Sequence, residues 1–266
     1  MGSNPTRRTQ IMRSNAEYAE VKNLVARGVN DCKIARSTGI PRTTIRDWRR
    51  GSTASRRTDA RKACLRCGRP EHNFNALPQA SYAYLLGMYL GDGGISKERR
   101  TWRLRITLDT KWPGIISSCA AAMRTVFPQN RVACFRPDAQ AQCVVVGVYS
   151  KAVACLFPQH GRGPKHLRPI QLVDWQTQLV RERPEEFLRG LIHSDGCRFI
   201  NRVRIKGKTY EYPRYNFTNA STDIRSLFCA TCDQLGVEWR QMNERNISIA
   251  RRDSVARLDA FVGPKA

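Results

Sequence analysis

Two acids carry the first chemical suggestion. Asp92 sits near the end of YLLGMYLGDGG (84–94), and Asp195 sits at the same place in FLRGLIHSDGC (187–197). Each stretch is an apolar run with two small residues four apart, closed by an acid and a glycine. The small pairs are Gly87 with Gly91 and Gly190 with Ser194. Residues at that spacing share one helix face, and small side chains there let two backbones approach closely, the steric logic of tight crossings in membranes. If the two helices pair in parallel, Leu86, Leu90, Leu188 and Leu191 pack around the seam and the two aspartates stand side by side. Carboxylates so placed face the negative ends of two helix dipoles and repel each other, which raises a pKa. A divalent cation relieves both problems. Mg²⁺ (or Mn²⁺) takes carboxylate and phosphate oxygens together, and an ion between two acids activates water and stabilises a leaving oxygen.

The elements that must position these acids are written twice, in the same order. After Gly93 and Gly94 come strand-like RLRITLD (103–109), helical GIISSCAAAMRTVF, strands near RVACFRP and QCVVVGVY, and a helix starting at Ser150. After Gly196 come strand-like segments at 197–206 and 214–218, a helix at 222–236, strands near VEWRQM and NISIA, and the helix RDSVARLDAFV. This order is a tandem αββαββα duplication of α+β class, two similar halves at 80–158 and 184–266 joined by a connector at 159–183. Strands that cover a core alternate inward apolar with outward polar residues. Arg103 and Arg105 alternate with Leu104 and Ile106, and Arg202 and Arg204 with Val203 and Ile205. These four arginines are candidates for reading base edges, because Arg pairs bidentately with guanine. A solvated strand face is the competing reading.

Charge indicates what the phosphate would belong to. Among 266 residues, Lys plus Arg number 46 against 22 Asp plus Glu, a net charge of +24. Such an excess repels itself unless a polyanion neutralises it, and double-stranded DNA is the evident one. The excess is spread over residues 1–80 and the remainder alike. No apolar run is long enough to span a bilayer, and the polar N-terminus lacks the apolar core of a signal peptide. The expectation is a cytoplasmic protein of a bacterium or phage, with no membrane partner. The ten cysteines are scattered without extracellular framework spacing, so reduced thiols are expected. Cys229 and Cys232 fall inside a helical pattern and read as small buried apolar side chains.

Residues 15–50 predict three short helices within an N-terminal segment spanning 1–52. Ala19, Val21, Leu24 and Val25 form one apolar face, Gly28 stops that helix, and Asn30 or Asp31 caps the next. Ile34 and Ala35 face inward, Gly39 permits a tight turn, and Pro41 suits the start of a third helix carrying Ile45 and Trp48. The segment resembles a helix-turn-helix of the resolvase and transposase type, which implies a third helix lying in the major groove. Arg42, Thr43, Thr44 and Arg46 are then the candidates for DNA contact, with Arg49 on the outer face. Residues 53–79 have a linker's composition, within which Cys64, Cys67 and His72 have the spacing of a zinc knuckle. Zn²⁺ and free thiols remain alternatives. A fourth ligand would come from elsewhere, His160 or His166 being available, although both also read as plain connector residues.

The paired phrases LLGMYLGDG (85–93) and LRGLIHSDG (188–196) resemble the two motifs of single-chain LAGLIDADG homing endonucleases, over roughly residues 80–262. The resemblance implies a monomer whose two four-stranded sheets form a pseudo-twofold saddle over the DNA major groove. It implies metal-dependent phosphodiester hydrolysis, with Asp92 and Asp195 holding the divalent ion. The acid often found two positions before the last is Leu90 in one copy and His193 in the other, and takes no metal role here. Basic and amide groups around the metals correspond to Lys111, with Lys97 as alternative, Arg198 and Asn219, for each of which plain phosphate contact is the competing role. Arg198 stands where Lys is common, and Arg does not accept a proton. Two other functions fit a basic chain of this plan: a DNA-binding regulator that keeps the fold without cutting, and an RNA splicing maturase, against which the helix-turn-helix speaks.

Overall fold

The computed structural model describes residues 13–50, 64, 67 and 72–263. The chain forms two compact units, Met1–Glu71 and His72–Ala266. Most of the expected linker at 53–79 lies outside the described residues.

The first unit contains α1 (Asn15–Ala26), α2 (Asp31–Thr38) and α3 (Arg42–Arg49). Ser14 and Glu17 form a reciprocal capping box on α1, which satisfies orphan backbone donors of its first turn. Asn30 caps α2 by accepting from the Lys33 amide. Gly39 ends α2 at φ +66°, a left-handed turn that favours glycine. Val21, Ile34, Ile40, Ile45 and Trp48 make the core, with Tyr18 edge-on to Trp48 at 5.1 Å. Ala19, expected on the inner face, is exposed.

The second unit runs α4 (Gln79–Asp92), β1 (Gly93–Lys97), β2 (Trp102–Asp109), α5 (Pro113–Val126), β3 (Val132–Phe135), β4 (Cys143–Ser150) and α6 (Val153–Leu156). After the connector, which includes α7 (Asp174–Glu182), it repeats as α8 (Pro184–Asp195), β5 (Gly196–Ile205), β6 (Lys208–Thr218), α9 (Thr222–Gln234), β7 (Arg240–Gln241), β8 (Asn246–Ile249) and α10 (Arg252–Val262). The two antiparallel sheets have the same strand order, β1-β2-β4-β3 and β5-β6-β8-β7. The fold is therefore α+β and built from two αββαββα halves. Their apolar faces share one core, in which Leu86, Leu90, Leu188 and Leu191 are fully buried on α4 and α8.

Three further details, in the second unit, depart from the sequence expectation. The helix expected from Ser150 begins only at Val153, because Ser150 still pairs with Trp102 across the sheet. The connector is not a loop throughout: α7 occupies its second half and sends Gln176, fully buried, to the Tyr82 hydroxyl at 2.6 Å. The β5–β6 hairpin does not keep its apolar side covered. Strand β6 has β8 as a partner only over Tyr215–Thr218, so among the described residues the outer part of the hairpin has no third strand beside it. Ile205, expected inward, is 50% exposed.

Candidate active site

The seam between α4 and α8 is built on absent side chains. A Cβ on Gly87 would lie 2.5 Å from the Phe187 carbonyl oxygen and 2.7 Å from the Leu191 nitrogen. A Cβ on Gly190 would collide with the Tyr84 carbonyl oxygen and lie 3.0 Å from the Gly87 Cα. Backbone therefore touches backbone, as the four-residue spacing implies. One turn on, Gly91 faces Ser194, whose hydroxyl turns back onto the carbonyls of Gly190 (3.1 Å) and Leu191 (3.0 Å). At that level a Cβ on Gly91 would stand 3.0 Å from Asp195 Oδ2. The second aspartate thus reaches the first helix at the residue before Asp92.

Asp195 is oriented from its own half. Asn219, at the end of β6, donates from Nδ2 to Asp195 Oδ2 at 2.5 Å. Asn219 is itself held by the Ser221 amide on its Oδ1 (2.7 Å) and by Arg225 on its carbonyl (2.6 Å). Lys165 comes from the connector. Its Nζ donates to the carbonyls of Tyr89 (2.6 Å), Leu90 (2.8 Å) and Gly91 (2.5 Å), the last turn of α4. Burial pushes this ammonium down to about 8, against the opposing pull of Asp195 and Asp92. Burial also raises the Cys119 thiol on α5 to about 12, with Cys134 and Asp92 adding to it. Gly91 is thus the meeting point at this end of the seam: it precedes Asp92, its carbonyl accepts from Lys165, and its Cα faces Asp195 Oδ2. The donors gathered there are carboxylates, which fit a hard divalent ion. Beside them a cavity of about 690 Å³ opens between β1 and the connector, with Lys97, His160, Arg162, Lys165 and Arg168 on its walls.

The other candidate residues are more dispersed. Arg198 forms a bidentate pair with Asp259 on α10, at 2.7 and 2.8 Å, and the Tyr215 hydroxyl donates to the same carboxylate at 2.6 Å. That hydrogen-bonded guanidinium holds the Asp259 carboxyl below the usual range. Nothing local in the sequence marks Asp259 as the partner of Arg198. Lys111 is exposed, just beyond β2, and the Lys97 ammonium lies 5.9 Å from the Trp102 ring. His193, at the variable motif position, is buried between the Tyr84 hydroxyl and the Val262 carbonyl, each at 2.9 Å. Its surroundings are those of a core histidine.

On the first sheet Leu104, Ile106 and Leu108 point inward and Arg105 outward, as the alternation implies. Arg103 lies over the rings of Phe135 (5.7 Å) and Tyr149 (5.3 Å). On the second sheet Arg202 pairs with Glu211 at 2.8 Å, and Arg204 is exposed. In the first unit Arg42, Thr43 and Arg46 are exposed and Thr44 half-buried, whereas Arg49 donates to Asp31 (2.7 Å) and to the Val29 carbonyl (3.2 Å). Arg49 thus braces α3 against the start of α2. Of the zinc candidates, the Cys64 and Cys67 thiols, in the first unit, lie within 4.8 Å of each other. In the second unit the ligand-type side chain brought beside His72, again within 4.8 Å, is Cys155. His160 is otherwise engaged, with Nδ1 2.8 Å from the Phe157 carbonyl and its ring edge-on to Trp102. Cys232 is fully buried and Cys229 partly so, as small apolar helix residues would be.

No protein-family model matches this chain, and no curated protein does. Solved structures do resemble it. Mesophilic variants of the homing endonuclease I-DmoI are 16% identical, with 69% of this chain and 96% of theirs covered at a TM-score of 0.48. I-DmoI in complex with DNA and Mn is 16% identical, with 70% and 98% covered at 0.47. The LAGLIDADG meganuclease I-AabMI bound to uncleaved DNA is 11% identical, with 68% and 82% covered at 0.44. Among the described residues no helix is long and apolar enough to cross a membrane.

Proposed function

We propose that this chain is a sequence-specific double-strand DNA endonuclease of the LAGLIDADG homing type, acting as a monomer in the cytoplasm. The observation that carries the reading is the convergence at the seam. Asp195 Oδ2 lies against Gly91, the residue before Asp92, and the Lys165 ammonium donates to the carbonyl of that same Gly91. A divalent ion held by Asp92 and Asp195, Mg²⁺ or Mn²⁺, would supply a Lewis acid for the scissile phosphate and an activated water.

The chain's own residues have separable tasks in this reading. Gly87, Gly190, Gly91 and Ser194 set the separation of the two carboxylates by letting the backbones touch. Asn219 fixes the rotation of the Asp195 carboxylate. Arg103, Arg105, Arg202 and Arg204 present cations on the strands that read the groove, and Lys111 and Lys97 meet phosphates at its edge. Arg198, paired with Asp259, holds the start of β5 to α10. It is not the group that moves a proton. The N-terminal helices add phosphate and base contacts through Arg42, Thr43, Thr44 and Arg46 and so lengthen the recognised site. The soft pairs Cys64–Cys67 and His72–Cys155 are donors that Zn²⁺ takes.

The test is cleavage of a randomised duplex library by purified protein in Mg²⁺ and in EDTA, with Asp92→Asn and Asp195→Asn alongside. Metal-dependent double-strand scission that both variants lose, with DNA binding kept, is the expected result. Tight binding without scission of any duplex would leave a non-cutting regulator on the same fold.

A further inference from the structure

Lys165 belongs to the chain joining the two halves, yet its ammonium is spent on the first motif helix. The last carbonyls of an α-helix have no partner within the helix. An ammonium has three N–H donors, and all three here are taken by Tyr89, Leu90 and Gly91. The Tyr89 ring adds a face 5.2 Å from Nζ. With its donors on those carbonyls the ammonium sits at Gly91, the residue before Asp92, and a Cβ there would stand 3.0 Å from Asp195 Oδ2, so its charge reaches both carboxylates through space. The charge is needed, because the negative ends of α4 and α8 and two acids gather at this one point. A half-buried cation there is costly by itself, and the sequence places it there from a short 3-10 turn of the connector, Lys165–Leu167.

We propose that Lys165 is the resident counter-cation of the two-aspartate site: a positioning residue that holds the carboxylates together while no divalent ion is bound, and whose electrostatic work a bound ion takes over. The second half of this statement rests on the metal reading above; the first half does not. A plain helix cap would contribute the same stability whatever the charge state of its surroundings. A counter-cation contributes most when the acids are bare.

Thermal melting of wild type, Lys165→Met, Asp195→Asn and the double variant, each in EDTA and in MnCl₂, distinguishes the two. In EDTA, Lys165→Met is expected to lower Tm by about 4 °C. In saturating Mn²⁺, and in the Asp195→Asn background, the drop should shrink to half or less. An equal drop under all conditions would reduce Lys165 to a helix cap and overturn the proposal. If Lys165→Met does not fold, Lys165→Arg carries the test: it keeps the charge, so its Tm difference between EDTA and Mn²⁺ should match that of wild type, and a wider difference counts against the proposal. A wild type whose Tm ignores Mn²⁺ would remove the metal reading, while the Lys165–Asp195 coupling in EDTA still decides the counter-cation role.

Discussion

Gly87→Ala is the sharpest perturbation of the helix seam. In an isolated helix the change is favourable, since Ala exceeds Gly in helix propensity by about 1 kcal/mol. At the seam the new methyl meets Phe187 O at 2.5 Å, Leu191 N at 2.7 Å and the Gly190 carbonyl carbon at 2.9 Å. All three are backbone atoms and none can rotate aside. The helices must separate by roughly 0.5–1 Å to restore van der Waals distances, loosening the leucine contacts on both sides. Overpacking of this kind costs about 1–3 kcal/mol, and contact with rigid backbone puts it at the upper end. The net loss is then about 2 kcal/mol, a fall in Tm of about 4–8 °C. Thermal melting followed by circular dichroism measures it. Gly94→Ala is the control, because its nearest neighbour would be the Arg105 side chain at 3.6 Å, and it should stay within about 0.5 kcal/mol of wild type. An unchanged or raised Tm for Gly87→Ala would refute the close-packed seam and with it the pairing of the aspartates.

Four further outcomes are expected. Gly91→Ala should cost stability on the scale of Gly87→Ala, since its methyl would stand 2.5 Å from Ser194 Cβ, which no side-chain rotation moves, and should also lose metal-dependent cleavage because it displaces Asp195 Oδ2; cleavage of protein still folded at the assay temperature, set beside its melting curve, separates the effects. The Asp259 carboxyl titrates below its unfolded value because Arg198 bonds it first and foremost, so the pair contributes stability above the unfolded aspartate pKa and loses it as pH falls through the lower folded value; Arg198→Ala should flatten that acid limb in pH-dependent melts. Arg42→Ala with Arg46→Ala should weaken DNA binding and reduce the salt slope by about 2, read from titrations at several salt concentrations. Metal analysis of protein purified without chelator should find zinc, with Cys67→Ser and Cys155→Ser each lowering its content.

Much of the site was legible because its signals are local. The small residues at 87, 91, 190 and 194 declare a shared helix face, and the repeated element order declares two halves, without knowledge of any contact. The three N-terminal helices were legible for the same reason: caps and glycines act within a turn of themselves. The β5–β6 hairpin misled, because alternation states which residues share a face but not whether anything covers it. Ile205 alternates correctly and is exposed all the same.

The sequence by itself determined the two acids, the helix faces that bring them together, the strand periodicity and the positive charge that calls for a polyanion. Only the tertiary structure decided which long side chains finish the site. Arg198 went to Asp259, Asn219 to Asp195, and Lys165 crossed from the connector to the end of α4. Periodicity and capping depend on neighbours a few residues away, whereas these partners meet only where loops happen to close, and a flexible side chain takes whichever opposite charge or bare carbonyl the closed fold leaves within reach.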